Sequence, residues 1–293
     1  MILGYRVYTK YLDIKSSSTC QLKCKHCVMG KSLSGKKTDW DKIRKLLKDN
    51  PQITEIHLGG GEPLVTEDNA KDIYSIMKEF PSIFFKITTN LCYEMTPYRE
   101  KVMMSVGSLQ TSFDIGVRFG NIHNLLLWKR NAEYITKKRT DVDVFCCITN
   151  RLAVDRIPKL IHMFSKIGFC GYKFIPICNA GSARDNDTMP TKQHILDIIK
   201  RAVECDSSYS NQTIDLINDN MFMNCHYGRE CTPIDSDGNI KNCGIIEKEN
   251  DHCDNDANCY MCENFNDCGG RCVLIPCYYD KELWTEIKKL KAK

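Results

Sequence analysis

Residues 18–27 read STCQLKCKHC, which places Cys20, Cys24 and Cys27 within eight positions. Three thiolates are one short of the four that a closed zinc or iron–sulfur site takes. The fourth position is therefore left open or filled from elsewhere, for instance by His26. About thirty residues on, the run ITEIHL stops at Gly59, Gly60 and Gly61 and continues into Glu62 and Pro63. Glycines let the backbone approach a ligand because no Cβ intervenes, and taken alone they also fit a tight turn. A zinc site at the three cysteines leaves this glycine run without a role. Nine of the eighteen cysteines lie between Cys225 and Cys277. Paired CxxC spacings there suit zinc and iron–sulfur equally. The remaining six, Cys92, Cys146, Cys147, Cys170, Cys178 and Cys205, are scattered, and small buried hydrophobes are their default reading.

The elements that must position these residues alternate. Strand-like runs at 11–16, 53–58, 84–89, 108–115, 142–149 and 171–177 are separated by segments of helical periodicity, such as 38–50, 66–80, 156–168 and 191–205. Six such β-α units imply an α/β fold of parallel strands with right-handed crossovers, closed as a barrel or open as a sheet. Function then belongs at the carboxyl ends of the strands. The cysteine loop, the glycine run, Asn90, Asp114, Asn150 and Cys178 all fall there. After residue 205 the texture becomes polar, then cysteine-dense and poor in periodic runs. That predicts two domains, 1–205 and 206–293, the second held by metal rather than by a core. The last segment, KELWTEIKKLKAK, reads as a solvated tail or short basic helix.

A CxxxCxxC loop followed by GGGEP resembles the radical S-adenosylmethionine (SAM) enzymes over roughly residues 9–205. The resemblance implies a partial (β/α)6 TIM-like barrel. It implies that Cys20, Cys24 and Cys27 hold three irons of a [4Fe–4S] cluster whose fourth iron binds SAM. Reductive cleavage then gives methionine and a 5′-deoxyadenosyl radical that abstracts hydrogen from a substrate. Carried over by motif, Gly60, Gly61, Glu62 and Pro63 lie at the methionine amino group, His26 packs near adenine, and Ser112 and Asp114 reach the ribose.

The tail resembles the SPASM domain, an extension that holds auxiliary clusters. Its CX2CX5CX3C motif is Cys259, Cys262, Cys268 and Cys272, and a hairpin with Asp237-Gly238 at the turn brings Cys231 towards Cys243. By order, one auxiliary [4Fe–4S] cluster takes Cys225, Cys231, Cys243 and Cys272, and the second takes Cys259, Cys262, Cys268 and Cys277. That makes three clusters with SAM as co-substrate. Cys253 is surplus and either replaces Cys277 or lies free; a hydrogen-atom donor role is open to it and to Cys178 at the mouth of the sixth strand.

Charge and composition narrow the partners. A formal net charge of +4 does not mark a dedicated nucleic-acid binder. No apolar run is long enough to span a membrane, and the N-terminus lacks a signal-peptide pattern, so a cytoplasmic enzyme is expected. The resemblance favours a peptide or protein substrate (crosslinking, epimerisation or oxidation). The alternatives are a small molecule such as an aminocyclitol, sugar or nucleotide, or a non-enzymatic cluster or zinc protein. Gly244 after Cys243 argues against sulfatase maturation. With only 19 residues before Cys20, a peptide is read by the barrel mouth or by a separate adaptor protein. A flavodoxin- or ferredoxin-type donor is the expected electron source.

Overall fold

A computed structural model describes residues 7, 9–30, 35–177, 180–205, 231–241, 285–287 and 289–290. Its elements run β1 Tyr11–Ser17, α1 Trp40–Asp49, β2 Glu55–Gly60, α2 Glu67–Glu79, β3 Phe84–Thr89, α3 Pro97–Ser105, β4 Ser108–Ser112, α4 Ile122–Thr136, β5 Val142–Ile148, α5 Ile157–Ile167, β6 Gly171–Pro176, α6 Gly181–Asp185, α7 Lys192–Cys205 and β7 Cys231–Ile234. The sheet order is β6-β5-β4-β3-β2-β1-β7, and every pairing is parallel. The expected α/β partial barrel is thus the fold. Helix α3 escapes the periodicity reading because Arg99 is buried on the face where an apolar residue would be sought.

Alternation along each strand sorts the side chains into two faces. One face, with Leu12, Ile14, Ile56, Leu58, Ile87, Leu109, Val144 and Phe174, is buried in the hydrophobic core. The opposite face is polar and half-buried. There His57 shares hydrogen bonds with Asp13 through Nδ1 (3.0 Å) and with Thr88 through Nε2 (2.9 Å), and Thr88 donates on to Gln110 (3.3 Å). Helices begin where the sequence supplies caps. Asp39 accepts from the Lys42 amide and Thr66 from the Asn69 amide.

The sheet continues past the boundary expected at residue 205. Strand β7 pairs with β1 from Tyr11↔Cys231 to Ile14↔Ile234. The chain then turns through the predicted hairpin: Gly238 donates to the Asp235 carbonyl, Asp235 to that of Asn239 and Lys241 to that of Pro233. Gly238 has φ +71°, as a tight turn asks. The hairpin rests on α1, where Asp39 donates to the Ser236 carbonyl and Lys42 to Asn239. Among the described residues of the C-terminal segment, Ile287 is fully buried in the core, where a solvated tail would not place it. Burying that side chain contributes roughly 1.5–3 kcal/mol, which a solvated helix would forgo.

Candidate active site

A cavity of about 350 Å³ opens at the carboxyl ends of the strands. The loop after β1 brings Cys20, Cys24, His26 and Cys27 to it, the end of β2 brings Gly59 to Glu62, and Ser112, Arg118 and Cys147 complete the far wall.

The cysteine loop is held by backbone bonds from three directions. Lys25 donates to the Val117 carbonyl (2.9 Å), Ser182 donates to the Cys27 carbonyl (2.9 Å), and Glu62 donates to the Thr19 carbonyl (2.9 Å). Around the thiols, Asn90 donates to the Cys20 sulfur (3.7 Å), and the Cys24 thiol donates to the Arg118 carbonyl (3.7 Å). Burial pushes the Cys20 thiol up to about 12 and the Cys24 thiol up to about 11, and raises Cys27 as well. Thiolates there need bound cationic metal to offset the lost hydration.

The donor set fits a cluster better than a single ion. Zinc holds sulfur at about 2.3 Å, which brings neighbouring sulfurs within roughly 4 Å of one another. Among the described residues, the one trio of metal-type side chains that converges within 4.8 Å is His26, Asp114 and Cys147, not the three loop cysteines. An iron–sulfur cube spreads its cysteines over separate irons and suits the wider spacing. At the converging trio the cation is already present: Arg118 Nε lies 2.6 Å from Asp114 Oδ2, and its Nη2 lies 3.3 Å from His26 Nε2.

Asp114 therefore does not line the cavity as a ribose ligand would. Its carboxylate meets Arg118, His26 (3.2 Å) and the Cys147 amide. Burial would raise this carboxyl, but the Arg118 guanidinium and His26 more than reverse that and hold it well below the usual carboxylate range. Ser112 and His26 do face the cavity, and His26 Nδ1 is buried without a hydrogen-bond partner among the described residues.

The glycines serve the backbone first. Gly60 has φ +101°, and a Cβ there would sit 2.6 Å from the Ser17 carbonyl oxygen, so β1 and β2 close together only over glycine. The Glu62 side chain turns inward. It accepts from Thr89 Oγ1 (2.7 Å), the Asn90 amide (2.7 Å) and the Leu64 amide (3.0 Å), which ties the end of β2 to the end of β3. What this segment presents to a ligand is backbone. The Pro63 carbonyl accepts from Asn69, which also donates to Ser16 and accepts from Trp40, so one buried amide joins β1, α1 and α2 behind the loop.

Three site residues were not anticipated. Cys147 lines the cavity while its neighbour Cys146 is buried in the core, because successive strand residues face opposite ways. The reading of both as buried hydrophobes holds for Cys146 alone. Arg118 and His57 also line the wall; the i,i+4 spacing from Asp114 was the available signal for Arg118. Asn150 does not reach the cavity; it donates to the Asp187 carbonyl (2.7 Å). Cys178, Cys225, Cys243, Cys253, Cys259, Cys262, Cys268, Cys272 and Cys277 lie outside the described residues. Cys231, on β7, is fully buried.

Residues 11–118 match the family model of a 4Fe–4S single cluster domain. The chain is similar to the solved structures of Streptococcus suis SuiB. One, bound to precursor peptide SuiA, has a TM-score of 0.60 at 16% identity, covering 96% of this chain and 67% of SuiB. The other, bound to S-adenosylmethionine, has a TM-score of 0.59 at 16% identity, covering 96% and 68%. No curated protein matches the sequence. The cluster-domain match covers the segment that holds all three loop cysteines, and the fold is shared along nearly the whole chain.

Proposed function

We propose that this chain is a radical SAM enzyme that takes a hydrogen atom from a peptide substrate. The observation that carries the reading is one cavity walled on one side by three cysteines, Cys24 buried and Cys20 and Cys27 half-buried, and on the next by a glycine-rich strand end. Cys20, Cys24 and Cys27 hold the cluster, and the backbone of 59–61 lies against the methionine end of SAM. When bound, cluster and SAM supply a 5′-deoxyadenosyl radical by one-electron cleavage of the sulfonium.

The chain's own residues bind, orient and exclude water. Arg118, kept charged and fixed by Asp114, offers the wall a cation for the SAM carboxylate. His26 Nδ1 supplies an orphan polar atom next to the nucleoside. Gln21 donates to Asn90 Oδ1 and to the Cys92 carbonyl and seals the loop at its start. The peptide assignment draws on the SuiB structure with its precursor peptide. A SPASM-type tail with the two auxiliary ligand sets given above completes the assignment, with the cytoplasm as the reducing compartment the clusters need.

Anaerobic reconstitution tests it. Roughly twelve irons per chain are expected, four for each of three clusters, with 5′-deoxyadenosine formed from SAM and dithionite. A Cys24→Ala variant should lose at least about 100-fold of that product, since an incomplete ligand set leaves no stable cluster. Zinc in place of iron, with no 5′-deoxyadenosine, overturns the proposal.

A further inference from the structure

Arg99 is 8% exposed and lies in the first turn of α3, the end of a helix that disfavours a cation. Among the described residues no carboxylate pairs with it. Three separate nitrogens donate instead to three backbone carbonyls: Nε to Leu64 (2.8 Å), Nη1 to Glu94 (2.7 Å) and Nη2 to Val65 (2.6 Å). A buried cation held by carbonyls alone keeps a desolvation cost that an apolar side chain would not carry. The loops that those carbonyls belong to give the charge a role. Leu64 and Val65 follow residues 59–62 at the end of β2, and Glu94 follows residues 88–90 at the end of β3; both segments line the cavity, and Arg99 does not. A second route joins the same loops. The guanidinium carbon lies over the Tyr93 ring, 4.7 Å from its centroid, the Tyr93 hydroxyl shares a hydrogen bond with Thr89 Oγ1 (2.7 Å), and Thr89 donates to Glu62 (2.7 Å). The Leu64 amide donates to the same Glu62 oxygen, so the circuit closes on itself.

We propose that Arg99 is a positioning residue for SAM binding: it fixes the backbone of residues 59–62 at the spacing from the cysteine loop that the methionine end of SAM needs. The inference rests on the proposed function, because it takes SAM as the ligand of the glycine run. Three successive glycines hold little geometry of their own. Gly61 and Glu62 donate to the Ser17 and Thr19 carbonyls, which ties the run to the start of the cysteine loop. Arg99 ties the residues that follow the run to the loop after β3. With both anchors in place the glycine backbone is held between them, and SAM meets a preformed surface. Loosening one anchor weakens SAM binding more than it slows the cleavage of bound SAM, because Arg99 does not reach the cavity. A lysine in its place keeps the charge but gathers its donors on one nitrogen, which does not reproduce a fork serving three carbonyls from three nitrogens.

The test uses reconstituted full-length protein. Initial rates of 5′-deoxyadenosine formation with dithionite are measured across SAM concentrations and scaled to iron content, and equilibrium dialysis without dithionite reads SAM binding alone. Arg99→Met should raise both KM and the dissociation constant for SAM by roughly tenfold or more, while kcat per cluster stays within about twofold of the wild type. Arg99→Lys should recover only part of the loss. Tyr93→Phe, which keeps the ring over the guanidinium and removes the bond to Thr89, should weaken SAM binding by about threefold. A residue that serves the fold alone would lower the melting temperature and the iron content and leave the affinity of the surviving clusters for SAM unchanged. That outcome overturns the proposal, and so does a fall in kcat with KM unmoved. If Arg99→Met does not retain its cluster, Arg99→Lys decides: weaker SAM binding at full iron content supports the proposal, and unchanged binding or loss of the cluster overturns it. A wild type that binds SAM and forms no 5′-deoxyadenosine sinks the catalytic reading and leaves the dialysis result standing. One that does not bind SAM overturns both.

Discussion

Glu62 directs three hydrogen bonds into the protein at a position where the motif suggested a ligand contact. Burial raises its carboxyl, partly offset by Thr89 and the Asn90 and Leu64 amides. A carboxyl that binds its proton more tightly when folded stabilises most below its unfolded pKa of about 4.3, and that stability is lost as pH rises through the folded value. Glu62→Gln should cost about 1–2 kcal/mol near pH 4, because one donor then faces an amide nitrogen. The deficit should shrink towards pH 8, because the wild type alone carries a buried charge there. Urea midpoints at the two pH values check this, and a deficit that grows with pH contradicts it. At this scale the sequence discloses what is local. Ligand spacing of three and two intervening residues needs no fold to be recognised. Arg118 and Asp114 were harder, because their pairing forms in an irregular loop that no periodicity describes. Cys147 was misjudged beside Cys146, since only strand register decides which of two neighbours meets the cavity.

Helix α6 has five residues, and its role concerns the loop it touches. Gly181 has φ +54°, and a Cβ there would lie 2.2 Å from the Val28 carbonyl oxygen. The next amide, Ser182, bonds the Cys27 carbonyl. Gly181→Ala adds about 1–2 kcal/mol of left-handed strain, and the clash must push the cysteine loop outwards. Reconstituted iron should fall by at least the four atoms of one cluster while far-UV circular dichroism stays unchanged. Full iron content with normal 5′-deoxyadenosine yield would show that the loop tolerates the shift. Strands were legible at this scale because alternating β-branched runs ended at glycines or polar turns. The aromatic cluster that steadies the 113–121 loop was not. Phe113 comes from that loop, Trp128 from α4 and Phe164 from α5, with Phe113 4.6 Å from Trp128 and 5.4 Å from Phe164 between ring centroids. Such contacts exist only after the helices dock on the sheet.

For the molecule as a whole, a change of texture in the sequence and a boundary in the fold do not coincide. The polar stretch after residue 205 suggested an independent second module, yet Cys231–Ile234 is a strand of the main sheet, and Ile234 and Ile287 are core residues. Cysteine density drew attention to metal and masked a four-residue strand, CTPI, whose proline gave no strand signal. A fragment of residues 1–205 should accordingly lose cooperative urea unfolding or remain insoluble, since β1 keeps an uncovered hydrogen-bonding edge. A soluble fragment with a sharp transition would establish that the sheet is complete without β7. The parallel pairing of β1 with β7 also orders events during translation. The first strand leaves the ribosome more than two hundred residues ahead of its last neighbour. Until that neighbour emerges, the strand that leads into Cys20 is braced on one side only, so metal delivered to a nascent chain would meet an unfinished cradle.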